Sequence, residues 1–234
     1  MNALEIDGLG AGYDTVEIVH GVTARVGIGE VVALLGVNGA GKTTTVRAIS
    51  GLIPARKGTM KLLGADVTFA RAHARARRGL GVVTDERMLC DTISVADNLR
   101  LATRGADHRD EVLSWLPELG PLLPQLTSTL SGGEQRLVAL ARALVAGPKV
   151  LVVDELSAGL APALATSVIS VLRRAAADWG TGVLIVEQAT RLALQAADRA
   201  VVLARGRVSI EGAAADLARR PDVLATAYLG QDLD

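Results

Sequence analysis

The sequence predicts an α/β fold built on a mostly parallel sheet with both faces covered. Three runs are continuously apolar and rich in β-branched residues: 31–35, 150–153 and 183–186. Each is short and bounded by glycine or charge, which is how a strand buried on both faces reads. A helical pattern follows each run, and that alternation directs ligands to the carboxyl ends of the strands.

The elements follow in chain order. Leu4-Glu5-Ile6-Asp7 alternates apolar and polar, the pattern of a half-exposed strand. Between about residues 88 and 146 no buried-strand run occurs, and the stretch reads as helical with a loop over 117–124. A helical subdomain, 88–146, is therefore expected inside an α/β core made of 1–87 and 147–234, the whole forming one domain over 1–234. A helix over 134–146 is stopped by Gly147-Pro148. Pro162 suits a first helical turn ahead of 163–179, and Gly180 ends that helix. Ile169, Leu172 and Ala176 share one stripe of it and read as core. Near the end, 201–203 and 208–210 flank Arg205-Gly206 as a hairpin.

Composition bounds the function. Among 234 residues half are hydrophobic and 21% charged, which excludes disorder. A chain of this length buries roughly 70–75% of its unfolded surface. Only 2% of residues are aromatic, so the core must be aliphatic. The formal net charge is zero, which argues against nucleic acid as a partner, since nonspecific binding needs clustered cations. One basic run, Arg71-Ala72-His73-Ala74-Arg75-Ala76-Arg77-Arg78, reads as a solvated helix face. The single cysteine, Cys90, allows no internal disulfide and suits a reducing compartment. The first residues lack a secretory pattern, and no run approaches the ~18 apolar residues of a membrane span. Any membrane role is expected to act through a partner.

The chemistry begins after the first apolar run. Gly36-Val37-Asn38-Gly39-Ala40-Gly41-Lys42-Thr43-Thr44 fits G-x-x-x-x-G-K-[ST], with a buried strand before it and a helix after it. Glycines let successive backbone N–H groups curl around an anion, and the helix N-terminus adds its positive end. Lys42 supplies a mobile charge for β- and γ-phosphates, and the Thr43 hydroxyl is placed for Mg²⁺. The second run ends in Asp154-Glu155. Adjacent strand residues point opposite ways, so Asp154 suits a magnesium shell and Glu155 can polarise an attacking water. Taken alone, such a pair could equally be exposed acids at a loop entry; joined to the phosphate loop it points to ATP·Mg²⁺ hydrolysis.

Between these two motifs lies Leu130-Ser131-Gly132-Gly133-Glu134-Gln135, at a helix start. Its glycines allow close backbone approach, Ser131 offers a hydroxyl, and the helix N-terminus attracts anions. Ser131 also suits an N-cap. In this order the three motifs resemble the ABC (ATP-binding cassette) ATPase family. The resemblance covers the whole chain. It implies a P-loop NTPase core of ABC type with an antiparallel β subdomain and an inserted helical subdomain. It also implies a head-to-tail dimer in which Ser131, Gly132, Gly133 and Glu134 of one subunit cap the nucleotide held by the other. Tyr13 falls where the family stacks an aromatic on adenine, an interaction worth roughly 1–3 kcal/mol in nucleic-acid complexes. Ser157-Ala158-Gly159-Leu160 falls on the family's D-loop.

Residues 93–99, Ser157-Ala158-Gly159-Leu160-Ala161-Pro162, Val186-Glu187-Gln188 and the ending Tyr228-Leu229-Gly230 look like the shorter ATPase subunit of branched-chain amino acid importers. Relatives that import urea or short amides share most of these features. One rival is a soluble ABC ATPase acting on ribosomes or nucleic acid, disfavoured by the neutral charge and the single cassette; another, motivated by Asp85 and Gln188, is a nucleotide-gated binding module without useful hydrolysis. The resemblance implies polytopic permease subunits, a second ATPase subunit (identical or homologous), indirectly an extracytoplasmic solute-binding protein, and a location on the cytoplasmic face of the membrane. Three positions depart from the family pattern. Gln188 stands where most members have a switch histidine; it can bond a phosphate oxygen but cannot become charged. Asp85 takes the magnesium-sensing seat, unless Asp85-Glu86 is simply an exposed loop pair. Leu156 replaces the usual proline after the catalytic glutamate.

Overall fold

The computed structural model describes residues 1–84, 89–103, 108–155 and 160–230. A six-stranded sheet forms its centre. Across it lie β10 (Arg207–Ala213), β9 (Arg199–Ala204), β3 (Val31–Leu35), β8 (Gly182–Glu187), β7 (Val150–Asp154) and β6 (Leu80–Val83). The neighbours from β9 to β6 run parallel; only β10 pairs antiparallel, with β9. All five residues of β3 and of β7 are buried, as the apolar runs 31–35 and 150–153 require, and the burial of β7 extends to the carboxylate that closes it, Asp154.

The two faces of β3 serve two cores. Val31, Ala33 and Leu35 pack with α5 (Gly132–Val145), α6 (Pro162–Trp179) and α7 (Thr190–Ala196). Val32 and Leu34 pack with α1 (Lys42–Ser50) and a second, antiparallel sheet. That sheet orders β2 (Val16–Gly27), β1 (Asn2–Tyr13), β4 (Ala55–Leu62) and β5 (Ala65–Asp66). Each fully buried aliphatic side chain contributes about 1.5–3 kcal/mol, so this double-sided aliphatic packing replaces the aromatic core the composition lacks.

Between β6 and β7 the described residues form α3 (Val95–Ala102), α4 (Arg109–Trp115) and two 3-10 helices, followed by α5. Trp115 stacks on Trp179 of α6 at 4.5 Å, and the Arg174 guanidinium lies 4.7 Å from the Trp115 ring centre. Trp179 Nε1 donates to Glu111 at 3.0 Å. The helical segment is thus anchored on α6 by the only two tryptophans of the chain.

Several expectations change. The opening strand runs over twelve residues, because β1 lies between β2 and β4 and is paired on both sides. The expected loop over 117–124 contains a 3-10 helix, Pro117–Leu122, entered through its proline. Helix α5 starts two residues early, because Ser131 caps it. The basic run does form a helix, α2 (Ala72–Arg77), but it is not simply solvated: Arg75 is only 1% exposed. Its guanidinium donates to the carbonyls of Ala48 (2.6 Å), Ile49 (2.7 Å), Ala70 (2.9 Å) and Thr68 (3.0 Å). Two of those carbonyls end α1, where a cation is favoured.

Candidate functional site

The carboxyl ends of β3, β8 and β7 lie side by side, with Leu35 opposite Glu187 and Val186 opposite Asp154. The loop after β3, the acids after β7 and Gln188 after β8 therefore open on one edge, where α/β sheets bind ligands.

The loop from Gly36 to Gly41 turns directly into α1. Gly41 stands at φ 103° as the residue before the helix, a conformation a side chain would strain. At Gly36 a Cβ would lie 2.7 Å from the Leu203 carbonyl oxygen and 2.9 Å from the Ala40 Cβ, so only glycine fits. Helix α1 has no side-chain cap and no acid in its first turn, which leaves its N-terminus suited to an anion. Val37, Asn38, Gly39 and Thr43 are exposed along this loop, whereas Ala40, Lys42 and Thr44 are buried. Lys42 Nζ donates to the carbonyls of Gly36 at 2.7 Å and Val37 at 3.1 Å. Burial pulls the Lys42 ammonium below its ordinary pKa, and the negative charges of Asp154, Glu155 and Glu187 push against that shift.

Asp154 is 5% exposed at the end of β7. Glu155 follows in a left-handed conformation, φ 52°, a strain of roughly 1–3 kcal/mol for a residue with a side chain. Its N–H donates to Val186 O at 2.9 Å, and Arg136 Nη1 donates to its carbonyl at 3.1 Å, which fixes the turn. Across the strand gap Gln188 Nε2 reaches Glu155 Oε1 at 3.5 Å. Glu187, a residue the sequence marked only as part of a tripeptide, is 3% exposed, and its carboxylate accepts from the N–H groups of Gln188 (3.1 Å) and Ala189 (3.3 Å). A charged residue closing an apolar run was the available signal for it.

Ser131 caps α5 in a closed capping box. Its hydroxyl accepts from Glu134 N at 3.4 Å, while the Glu134 carboxylate accepts from Ser131 N at 2.8 Å and Ser131 Oγ at 2.6 Å. Hydrogen bonds from the Ser131 hydroxyl, and then from its N–H, hold the Glu134 carboxyl below its usual range. Ser131 and Gly132 are exposed, and Gly133 is half-buried. Tyr13 ends β1 beside α1, with its hydroxyl accepting from Arg47 Nη1 at 3.2 Å. Asp85 lies outside the described residues, as do Leu156 and residues 157–159 of the D-loop.

Residues 19–158 match the ABC transporter family. The chain belongs to the ABC transporter ATP-binding family. It is 34% identical to the high-affinity branched-chain amino acid transport ATP-binding protein BraG of Pseudomonas aeruginosa, over 97% of this chain and 99% of BraG. It is 35% identical to the lipopolysaccharide export system ATP-binding protein LptB of Escherichia coli, over 99% of each. Among solved structures, an ATP binding subunit of an ABC transporter superposes with a TM-score of 0.85 at 27% identity, covering 97% of this chain and 98% of that one. The protein is accordingly an ABC-type ATPase whose hydrolysis of ATP is coupled to transport. No described helix is long and apolar enough to cross a membrane.

Magnesium fits the donors present. Among the described residues no three His, Cys, Asp or Glu side chains gather into a metal cage. One buried carboxylate, Asp154, and one hydroxyl, Thr43, instead match an ion that keeps waters and takes substrate phosphates.

Proposed function

We propose that this chain binds ATP·Mg²⁺ at the shared strand edge and hydrolyses it to drive uptake of a branched-chain amino acid through separate membrane subunits. The observation that carries the catalytic part is the junction of Glu155, Gln188 and the Lys42 loop at the ends of three adjacent strands.

The roles follow from position. The N–H groups from Gly36 to Thr44 and the α1 N-terminus hold the phosphates, and Lys42 turns from its loop carbonyls to the β- and γ-phosphates. Tyr13 stacks on the adenine. Thr43 and Asp154 would hold Mg²⁺, with Asp85 by resemblance a further ligand, and the ion would supply charge neutralisation for the phosphates. Glu155 takes a proton from the attacking water, and Gln188 orients that water and the terminal phosphate through its amide. Ser131, Gly132, Gly133 and Glu134 close the site from a second subunit, either another copy or a homologous ATPase. Glu134 shapes the cap and keeps Ser131 oriented.

Closure needs a route to the membrane subunits. A cleft of about 290 Å³ opens between the edge strand β6 and the helical segment, lined in part by Val82, Leu101, Arg142 and Ala143. Leu101 is 69% exposed at its rim. This is the surface we assign to a polytopic permease, which holds the chain at the cytoplasmic face of the membrane and connects it indirectly to an extracytoplasmic solute-binding protein. Helix α5 lines the cleft through Ala139, Arg142 and Ala143, and its first turn is tied into the helical segment: Gln135 Nε2 donates to Thr127 O (2.9 Å), and Thr127 Oγ1 and Asn98 Nδ2 both donate to Cys90 O (2.8 and 3.0 Å).

Similarity to BraG supports import, and comparable similarity to LptB supports a second reading in which the chain drives lipopolysaccharide export. Purification of the chain with its membrane subunits, followed by ATPase assays with leucine, isoleucine and valine, tests the two. Stimulation by these amino acids and their binding protein supports import. Stimulation only by a lipopolysaccharide-type lipid overturns it.

A further inference from the structure

The C-terminal helix α9 (Pro221–Leu229) carries Tyr228, a residue the catalytic reading leaves unused. Its hydroxyl is hydrogen-bonded to Thr190 Oγ1, at the first residue of α7. Thr190 in turn spends both its donors on one atom: its N–H reaches Gln188 O at 2.8 Å and its hydroxyl reaches the same oxygen at 3.3 Å. A threonine hydroxyl has a single proton. Either oxygen of that pair can supply its proton, and with the threonine proton on Gln188 O it is the Tyr228 hydroxyl that donates to Thr190 Oγ1. Burial raises the Tyr228 phenol above its ordinary pKa, so the donor stays protonated through neutral pH. The other side of Gln188 is held as well, by the buried Glu187 carboxylate on its N–H. Gln188 is thus tied at its N–H and at its carbonyl, while its side-chain amide faces Glu155.

We propose that Tyr228 is a positioning residue for ATP hydrolysis: through Thr190 it fixes the backbone of Gln188 and so the placement of the Gln188 amide against Glu155. The C-terminal helix thereby becomes part of the hydrolytic apparatus although it touches neither nucleotide nor metal. The inference rests on the assignment of Gln188 above.

Tyr228→Phe removes the hydroxyl and keeps the ring that packs on the core. It is expected to lower kcat roughly five- to tenfold, the loss that accompanies one neutral hydrogen bond, with KM for ATP nearly unchanged and the fold retained apart from the small stability loss of that same bond. Thr190→Val is expected to give a similar loss, and the double variant no more than either single one. In a Gln188→Ala background Tyr228→Phe is expected to have no further effect. An unchanged kcat in Tyr228→Phe overturns the proposal. So does an equal additional loss in the Gln188→Ala background, because the hydroxyl would then act elsewhere. If Gln188→Ala itself leaves turnover intact, the assignment of Gln188 fails, and a slowed Tyr228→Phe would then exclude this route separately.

Discussion

Replacing Arg75 by methionine keeps most of its apolar stem and removes all of its donors. At 1% exposure the guanidinium is taken out of water, and burial lowers its pKa, the mark of that desolvation. Its hydrogen bonds to the carbonyls of residues 48, 49, 68 and 70 offset the loss. A buried carbonyl left without a donor costs roughly 1–3 kcal/mol. The Ala48 oxygen retains a second donor, Gly51 N–H at 3.2 Å, and the variant no longer desolvates a charge. Three carbonyls lose this donor at about 1–3 kcal/mol each and the relief of the buried charge offsets part of that, so the net destabilisation should be less than the sum, about 3–5 kcal/mol. At roughly 2–4 °C per kcal/mol for a chain of this size, Tm should fall by about 6–20 °C. Urea unfolding of nucleotide-free protein, with Arg75→Lys as a charge-retaining control, measures this. The lysine variant should lose less than the methionine variant. A loss below about 1 kcal/mol in Arg75→Met would refute the view that this arginine ties the end of α1 to α2 and to the segment just before it.

Other outcomes follow from the site. Lys42→Ala should weaken ATP binding by roughly tenfold to a hundredfold or more, since it removes charge-assisted bonds to phosphate; fluorescent-nucleotide titration checks this. The Glu134 cap should stabilise the fold at neutral pH, because its folded pKa lies below the unfolded value; that contribution should vanish as pH falls through the depressed carboxyl titration. Urea midpoints of Glu134→Ala and the parent should accordingly differ at pH 7 and converge in acid. Asn38→Cys combined with Ser131→Cys, in a Cys90→Ser background, should form a disulfide between subunits with ATP·Mg²⁺ and little without it. Equal cross-linking in both conditions would separate Ser131 from the nucleotide.

Much of this architecture is legible in the sequence for a definite reason. The strands β3, β7 and β8 are buried on both faces, so no polar residue interrupts them before the last position, where Asp154 closes β7 and Glu187 closes β8. The strands of the antiparallel sheet are harder to read. In β4 only Ala55, Met60 and Leu62 are buried, and the intervening residues are exposed, while β1 and β2 pair through several register shifts that break their alternation. Arg75 looks like any surface arginine in a basic run, because its partners are backbone carbonyls brought together only by folding. The contact of Glu155 with Gln188 spans 33 residues, and that of Thr190 with Tyr228 spans 38. Both depend on elements meeting in space, which local pattern cannot report.

The most direct measurement is a single-turnover experiment on Glu155→Gln with labelled ATP and Mg²⁺. The carboxamide keeps the shape of the side chain and cannot take a proton from water. The bound nucleotide should remain ATP, with affinity close to that of the parent and turnover lowered at least about a hundredfold. Rapid conversion of that bound ATP to ADP would contradict the assignment of the water-activating base to Glu155.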